Sequence, residues 1–207
     1  MLDRRGNGKI RAMLDGIDWI MNQKERLGIQ LVNISVGTTG RSQGEQSELV
    51  HAVEALWDAG LTVCTAAGNE GGRTGLITAP GICRKAITVG AYDDLFMMDE
   101  KGYKYEHYSG KGPTETCICK PEIVALGTGI ISTNAKRKLT DPAYTVKSGT
   151  SMSTPIVTGA LALLIEKFPG ITNKNVKLRL RESAIDAKLP FNHQGWGRVS
   201  IVKLLGE

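Results

Sequence analysis

Three short apolar runs constrain the fold of this chain more than any other feature. Leu31-Val32-Asn33-Ile34-Ser35-Val36, Leu61-Thr62-Val63-Cys64-Thr65-Ala66 and Ala86-Ile87-Thr88-Val89 are too short for ordinary helices. They are also too continuously apolar for strands that face water on one side. Strands of that kind belong to parallel sheets covered on both faces. Between the first two lies a stretch from about Glu45 to Ala59, with Leu49, Val53 and Leu56 at helical spacing and Gly60 as its stop. Strand, helix and strand in that rhythm make a βαβ unit, and the fold class expected is α/β.

The rest of the chain fits that frame. Ile10, Met13, Leu14, Ile17 and Met21 mark an amphipathic helix from about Ile10 to Asn22. Asp93 to Lys120 is polar and Gly-rich, which predicts loop or short edge strand. Ile123-Val124-Ala125 and Gly129-Ile130-Ile131-Ser132 are brief extended pieces. Met152 to Phe168 is apolar almost throughout, which predicts a central helix buried on all sides with Pro155 in its first turn. A last helix is expected over about Asn173 to Ala184, capped by Thr172 or Asn173. The 25 glycines among 207 residues, with only 5% aromatics, suit tight strand-to-helix turns. No apolar run approaches the ~20 residues that span a bilayer. Met1-Leu2-Asp3-Arg4-Arg5 lacks the pattern of a signal peptide, and no linker divides the chain.

Charge and cysteine narrow the function only by exclusion. The net charge of +5 is scattered, with small clusters at Lys136-Arg137-Lys138 and from Lys174 to Arg181. Neither is interleaved with the aromatic rings on which nucleotides stack, so a solvated basic face is expected and no nucleic-acid partner. Cys64 reads as a small buried hydrophobe. Cys117-Ile118-Cys119 lacks the second pair of ligands that a zinc site requires, so no metal is assigned.

Two segments carry chemistry. Ser148-Gly149-Thr150-Ser151-Met152-Ser153-Thr154-Pro155 places hydroxyls at the mouth of an apolar helix. Free N–H groups and the positive dipole end converge there. A serine so placed can expose its hydroxyl while its own N–H faces a developing oxyanion; the same residues also suit a plain helix cap. Thr65-Ala66-Ala67-Gly68-Asn69-Glu70-Gly71-Gly72 follows a buried strand at its carboxyl end, where α/β sites lie. The Asn69 amide can donate to an oxyanion, or simply occupy a Gly-rich turn.

Together these segments resemble the subtilisin-like serine proteases (subtilases). Leu31 to Gly37, Ala86-Ile87-Thr88-Val89-Gly90-Ala91, Tyr108 to Thr114, Lys120 to Ala125 and Gly195-Trp196-Gly197-Arg198-Val199 resemble further family segments in the same order. The resemblance implies a three-layer parallel sheet with helices on both faces and a serine endopeptidase activity. It makes Ser151 the nucleophile and Asn69 the oxyanion donor beside the Ser151 N–H. Ser35-Val36-Gly37 and Ala66-Ala67-Gly68 become walls for the residue before the scissile bond, with Thr78 near the floor, where the family commonly has a smaller residue. Gly6-Asn7-Gly8 becomes the strand that pairs with an extended substrate. Leu126 stands where the family usually has Pro. Calcium is common in the family but is not assignable to residues of this chain.

The family's Asp-Thr-Gly and His-Gly-Thr-like segments, which carry the base and its orienting carboxylate, have no counterpart here. His51, His107 and His193 have no Gly-Thr neighbour and are expected to be surface or loop histidines. The chain is therefore expected to be the later two-thirds of a protease domain, truncated at its N-terminal side and inactive alone. The alternative is a non-catalytic, subtilase-like binding or scaffold protein. A third order, Ser151 then Asp186 then His193, would suit an α/β-hydrolase, but Ser153 occupies the last glycine of the G-x-S-x-G motif that fold requires. Loss of early strands leaves an open sheet edge. Its expected cover is self-association or a separate N-terminal piece, with a peptide or protein as substrate.

Overall fold

The structure is a computed structural model that describes residues 8–38, 44, 46–71, 75–95, 97–98, 104–135 and 141–207. In chain order it runs α1 (Ile10–Leu27), β1 (Leu31–Ile34), α2 (Glu48–Asp58), β2 (Thr62–Ala66), β3 (Ile87–Ala91), β4 (Met97–Met98), β5 (Lys104–Tyr105) and β6 (Ile123–Ala125). There follow β7 (Ile130–Thr133), β8 (Tyr144–Lys147), α3 (Thr150–Lys167), α4 (Asn173–Ser183), α5 (Phe191–Gln194) and α6 (Ile201–Leu205).

The expected apolar runs form the sheet. Its order is β1-β2-β3-β6, all parallel, with Val32 opposite Val63, Cys64 opposite Ile87 and Val89 opposite Ile123. Alternation along β2 feeds two cores. Val63 joins Leu14 and Ile17 of α1 and Leu49, Val53 and Leu56 of α2 on one face. Cys64 joins Val157, Leu161 and Leu164 of α3, Val176 and Leu180 of α4, and Leu204 of α6 on the other. These are the three layers of an α/β fold.

Local chemistry sets the helix ends. α1 passes the expected stop at Asn22 and closes at Gly28, whose φ of 62° is left-handed and whose N–H returns to Glu25 O. α2 starts where the Ser47 hydroxyl accepts the Val50 N–H, and α4 where Thr172 accepts that of Asn175. α3 begins at Thr150, two residues ahead of the expected Met152. Pro155 therefore lies in the second turn rather than the first. Its missing N–H leaves the Ser151 carbonyl without a helical donor.

Two further expectations are corrected. α3 is not buried on all sides: Val157, Ala160, Leu161 and Leu164 are buried, but Gly159, Ala162 and Glu166 are exposed and Leu163 is 45% exposed. Its outer face is built from small apolar residues, which conceals its amphipathicity. β8 was not expected at all. It pairs antiparallel with β7, and Ile131, Tyr144 and Val146 all remain exposed.

β1 is an edge strand, and nothing among the described residues pairs with its outer side. Apolar grooves flank that edge in both helical layers. Met13, Ile17 and Ile20 of α1 line one beside Val32 and Ile34. Ala162 and Ile165 of α3 line the other beside Ile29 and Leu31.

Candidate active site

The mouth of α3 gathers loops that follow three sheet strands. Gly149 precedes the helix at φ 138°, and a Cβ there would lie 3.0 Å from Asn69 Nδ2. Only glycine suits both the angle and the approach. The Gly149 N–H donates to Gly127 O at 2.9 Å. Thr150 donates its N–H at 2.9 Å and its hydroxyl at 3.0 Å to Asn69 Oδ1, while the same hydroxyl accepts the Gly68 N–H at 3.2 Å.

This arrangement orients the Asn69 amide. A backbone N–H can only donate, so the atom facing Thr150 is the carbonyl oxygen. The amide nitrogen then turns to the Gly149 side. The next N–H, that of Ser151, belongs to the first helical turn, where no intrahelical carbonyl takes it. The half-buried Ser151 donates its hydroxyl to Ser35 O at 2.8 Å. Ser35 follows directly on β1, so the carboxyl ends of β1 and β2 meet at the start of α3, as expected for a site on a parallel sheet.

The two segments expected as walls follow neighbouring strands of the sheet. Ser35, Val36 and Gly37 lie at the end of β1, and Ala66, Ala67 and Gly68 at the end of β2. Thr78 is buried between them. It donates its N–H to Ala67 O at 3.1 Å, and its neighbour Ala79 accepts the Thr38 N–H at 2.9 Å. Of the expected substrate-pairing strand, Gly6 and Asn7 lie outside the described residues, and Gly8 is exposed coil just before α1. Lys136, Arg137 and Lys138 also lie outside them.

No imidazole meets Ser151. His51 is exposed in α2, His107 is exposed in a loop with Nδ1 3.7 Å from Asp94, and His193 lies in α5. Burial, and secondarily the Lys111 charge, push His193 below its ordinary value. Asp186 is committed elsewhere: hydrogen bonds from Gln194 and Lys188 hold its carboxyl down to about 2. Its partners are thus its own loop and Gln194, not Ser151.

Sequence reasoning overlooked three contributors. Thr150 latches Asn69 in place. Asp93 accepts the Gly127 N–H at 2.7 Å and the Thr128 N–H at 3.0 Å, and so pins the loop that receives Gly149. Gly127 itself is obligatory, because a Cβ there would lie 2.5 Å from Ser153 Oγ and 2.7 Å from Ala91 Cβ. Asp93 follows the carboxyl end of β3, and that position was the signal available. Cys64 behaves as expected: it is fully buried, and burial pushes its thiol up to about 12.

A family model described as the Subtilase family matches residues 1–197. The chain belongs to the subtilase family. Among curated relatives, it is 33% identical over 195 residues to the serine protease AprX of Bacillus subtilis (strain 168), covering 87% of this chain and 44% of AprX. It is 29% identical over 203 residues to subtilisin DY of Bacillus licheniformis, covering 97% of this chain and 64% of that protein. The solved structure of Sphericase superposes with a TM-score of 0.77 at 25% identity, over 96% of this chain and 66% of that one. The subtilase fold expected from sequence is therefore the fold observed, and serine endopeptidase is the activity class of the family. This chain spans less than two thirds of the length of these curated relatives.

Proposed function

We propose that this chain carries the nucleophile and oxyanion half of a serine endopeptidase site. Ser151 Oγ attacks the scissile carbonyl. The Ser151 N–H and Asn69 Nδ2 receive the negative charge that develops on the carbonyl oxygen. The observation that carries this reading is the double latch of Asn69 Oδ1 by Thr150 N–H and hydroxyl. It commits the amide oxygen and leaves the amide nitrogen for a ligand beside the nucleophile. A plain helix cap would need the oxygen alone and would place no constraint on Gly149.

A serine hydroxyl needs a base to take its proton. Here that hydroxyl rests on a backbone carbonyl, which cannot accept the proton. The base and its orienting carboxylate therefore come from polypeptide outside this chain. That polypeptide approaches at the β1 edge, because Ser35 directly follows β1 and Ser35 O is the group that Ser151 touches. The two apolar grooves that flank β1 supply the burial for an added strand and its cover. Loss of the base alone removes about 10⁶ from the turnover of such a triad. The purified chain is thus expected to hydrolyse a peptide anilide about 10⁶-fold more slowly than an intact triad would, keeping at most the roughly 10³–10⁴-fold advantage over water that an oxyanion hole and binding leave. Robust hydrolysis abolished by Ser151→Ala would refute the need for an outside base, and robust hydrolysis unchanged by Ser151→Ala would refute Ser151 as the nucleophile.

A further inference from the structure

We infer that Thr78 closes the slot beside Ser151, so that the site accepts only a small side chain, such as that of Gly, Ala or Ser, on the residue whose carbonyl is attacked. This inference rests on the proposed roles of Ser151 and Asn69 and names the substrate class of that site.

The argument begins with two glycines. Ser35 O touches Ser151 Oγ, and Gly68 N–H touches Thr150. An acyl group seated between Ser151 and Asn69 therefore lies beside the backbone of 35–37 and 66–68, and its side chain is taken to enter the slot between them. Both segments end in a glycine, and the missing side chains of both glycines point at the same residue. A Cβ on Gly37 would collide with Thr78 Oγ1 and lie 3.3 Å from Thr78 Cβ. A Cβ on Gly68 would lie 2.5 Å from Thr78 Oγ1, 2.8 Å from Cγ2 and 3.1 Å from Cβ. The threonine side chain thus occupies the space that two glycines leave open between the walls.

Thr78 cannot swing aside. Its N–H is bonded to Ala67 O in one wall, and Ala79 O accepts Thr38 N–H from the other. The floor is stitched to both walls by main chain, so widening the slot would break ladder-like hydrogen bonds. β-branching further restricts the side chain to few rotamers. An aromatic or Leu side chain would have to displace Thr78 from a position only 8% exposed.

A second observation points to a ligand. Thr78 Oγ1 is buried and has no hydrogen-bond partner among the described residues. Native structures rarely leave such a group unpaired. A small polar side chain entering from the Ser151 side would meet that hydroxyl, whereas a large apolar one would leave it unpaired and collide with it.

The test uses peptide boronic acids that differ only at the residue bearing boron, carrying the side chain of Ala, Ser or Phe. Binding forms a bond from Ser151 Oγ to trigonal boron and releases the hydroxyl proton to buffer, leaving a tetrahedral boron anion. No catalytic base is consumed, so the intact chain is a suitable sample at alkaline pH. The expected result is that the Ala and Ser compounds bind at least about 100-fold more tightly than the Phe compound, since even one surplus methylene in a fitted pocket discriminates 10–200-fold. Thr78→Gly should bring Phe to within about tenfold of Ala, and Thr78→Val, which keeps the volume, should retain the exclusion. Equal binding of Phe and Ala by the unaltered chain would overturn the inference while sparing the proposed function. Failure of every compound to form an adduct that Ser151→Ala removes would overturn both. Retained exclusion of Phe in folded Thr78→Gly would also overturn it, because the barrier would then lie elsewhere.

Discussion

Glu122→Gln strands a buried ammonium. Lys120 has no exposed side-chain surface, and its Nζ lies 2.6 and 2.8 Å from the Glu122 carboxylate oxygens. Its other partners are neutral: Ala86 O at 3.1 Å and Thr88 Oγ1 at 3.0 Å. Glu122 is better supplied, since Lys177 Nζ at 3.0 Å and the Thr88 N–H at 2.9 Å also reach it. The two single variants are therefore unequal. Lys120→Met leaves Glu122 paired with Lys177, whereas Glu122→Gln leaves Lys120 with no counter-charge. Breaking a buried pair from the side that orphans a charge costs about 3–5 kcal/mol. At roughly 2–4 °C per kcal/mol for a domain of this size, calorimetry should show Tm falling by about 6–20 °C for Glu122→Gln. The fall for Lys120→Met should be smaller. The double variant should be more stable than Glu122→Gln alone, because Gln can still accept the Thr88 N–H. Burial already pushes the Lys120 ammonium below its ordinary value, with Glu122 opposing. A lysine lowered on folding binds more protons when unfolded, so stability rises with pH up to the unfolded value near 10.4. The deficit of Glu122→Gln relative to the unaltered chain should accordingly shrink as pH rises from neutrality. Equal losses for the two single variants, or a deficit independent of pH, would refute the reasoning.

Two further predictions follow from packing. The thiol of Cys64 is raised on folding from its ordinary value to about 12, so its contribution is intact below about pH 9 and is lost as pH climbs from there toward 12. Cys64→Ala should flatten that alkaline limb in denaturant titrations by up to about 1.4 kcal/mol per pH unit, and an unchanged slope would contradict the assignment. Gly127→Ala should destabilise by about 1–3 kcal/mol through overpacking against Ser153 and Ala91. It should also weaken boronate binding, because Gly127 O holds Gly149 N–H; a neutral variant would show that the loop yields.

The sheet was legible because β2, β3 and β6 are buried at every residue, and burial on both faces writes a continuous apolar run. β8 was not, because Tyr144 to Lys147 is exposed along most of its length and leaves no burial pattern in sequence. The onset of α3 was misplaced because its cap is remote. Thr150 is held by Asn69, which belongs to the turn after β2, and no local signal announces a partner so distant in sequence. The last turn of α1, Lys24 to Leu27, carries little apolar patterning, and only the left-handed Gly28 marks its end. Ser151 and Asn69 stood out as residue types in context. Their coupling through Thr150, and the occupation of the slot by Thr78, are properties of three loops meeting and could not be read from any one of them.

The most direct measurement is the structure of the chain with an alanine-type peptide boronic acid, paired with boron-11 NMR. The account predicts tetrahedral boron bonded to Ser151 Oγ, with one boronate oxygen within hydrogen-bond distance of both the Ser151 N–H and Asn69 Nδ2. Boron that stays trigonal, or that bonds elsewhere with Asn69 still turned away from it, would contradict the account.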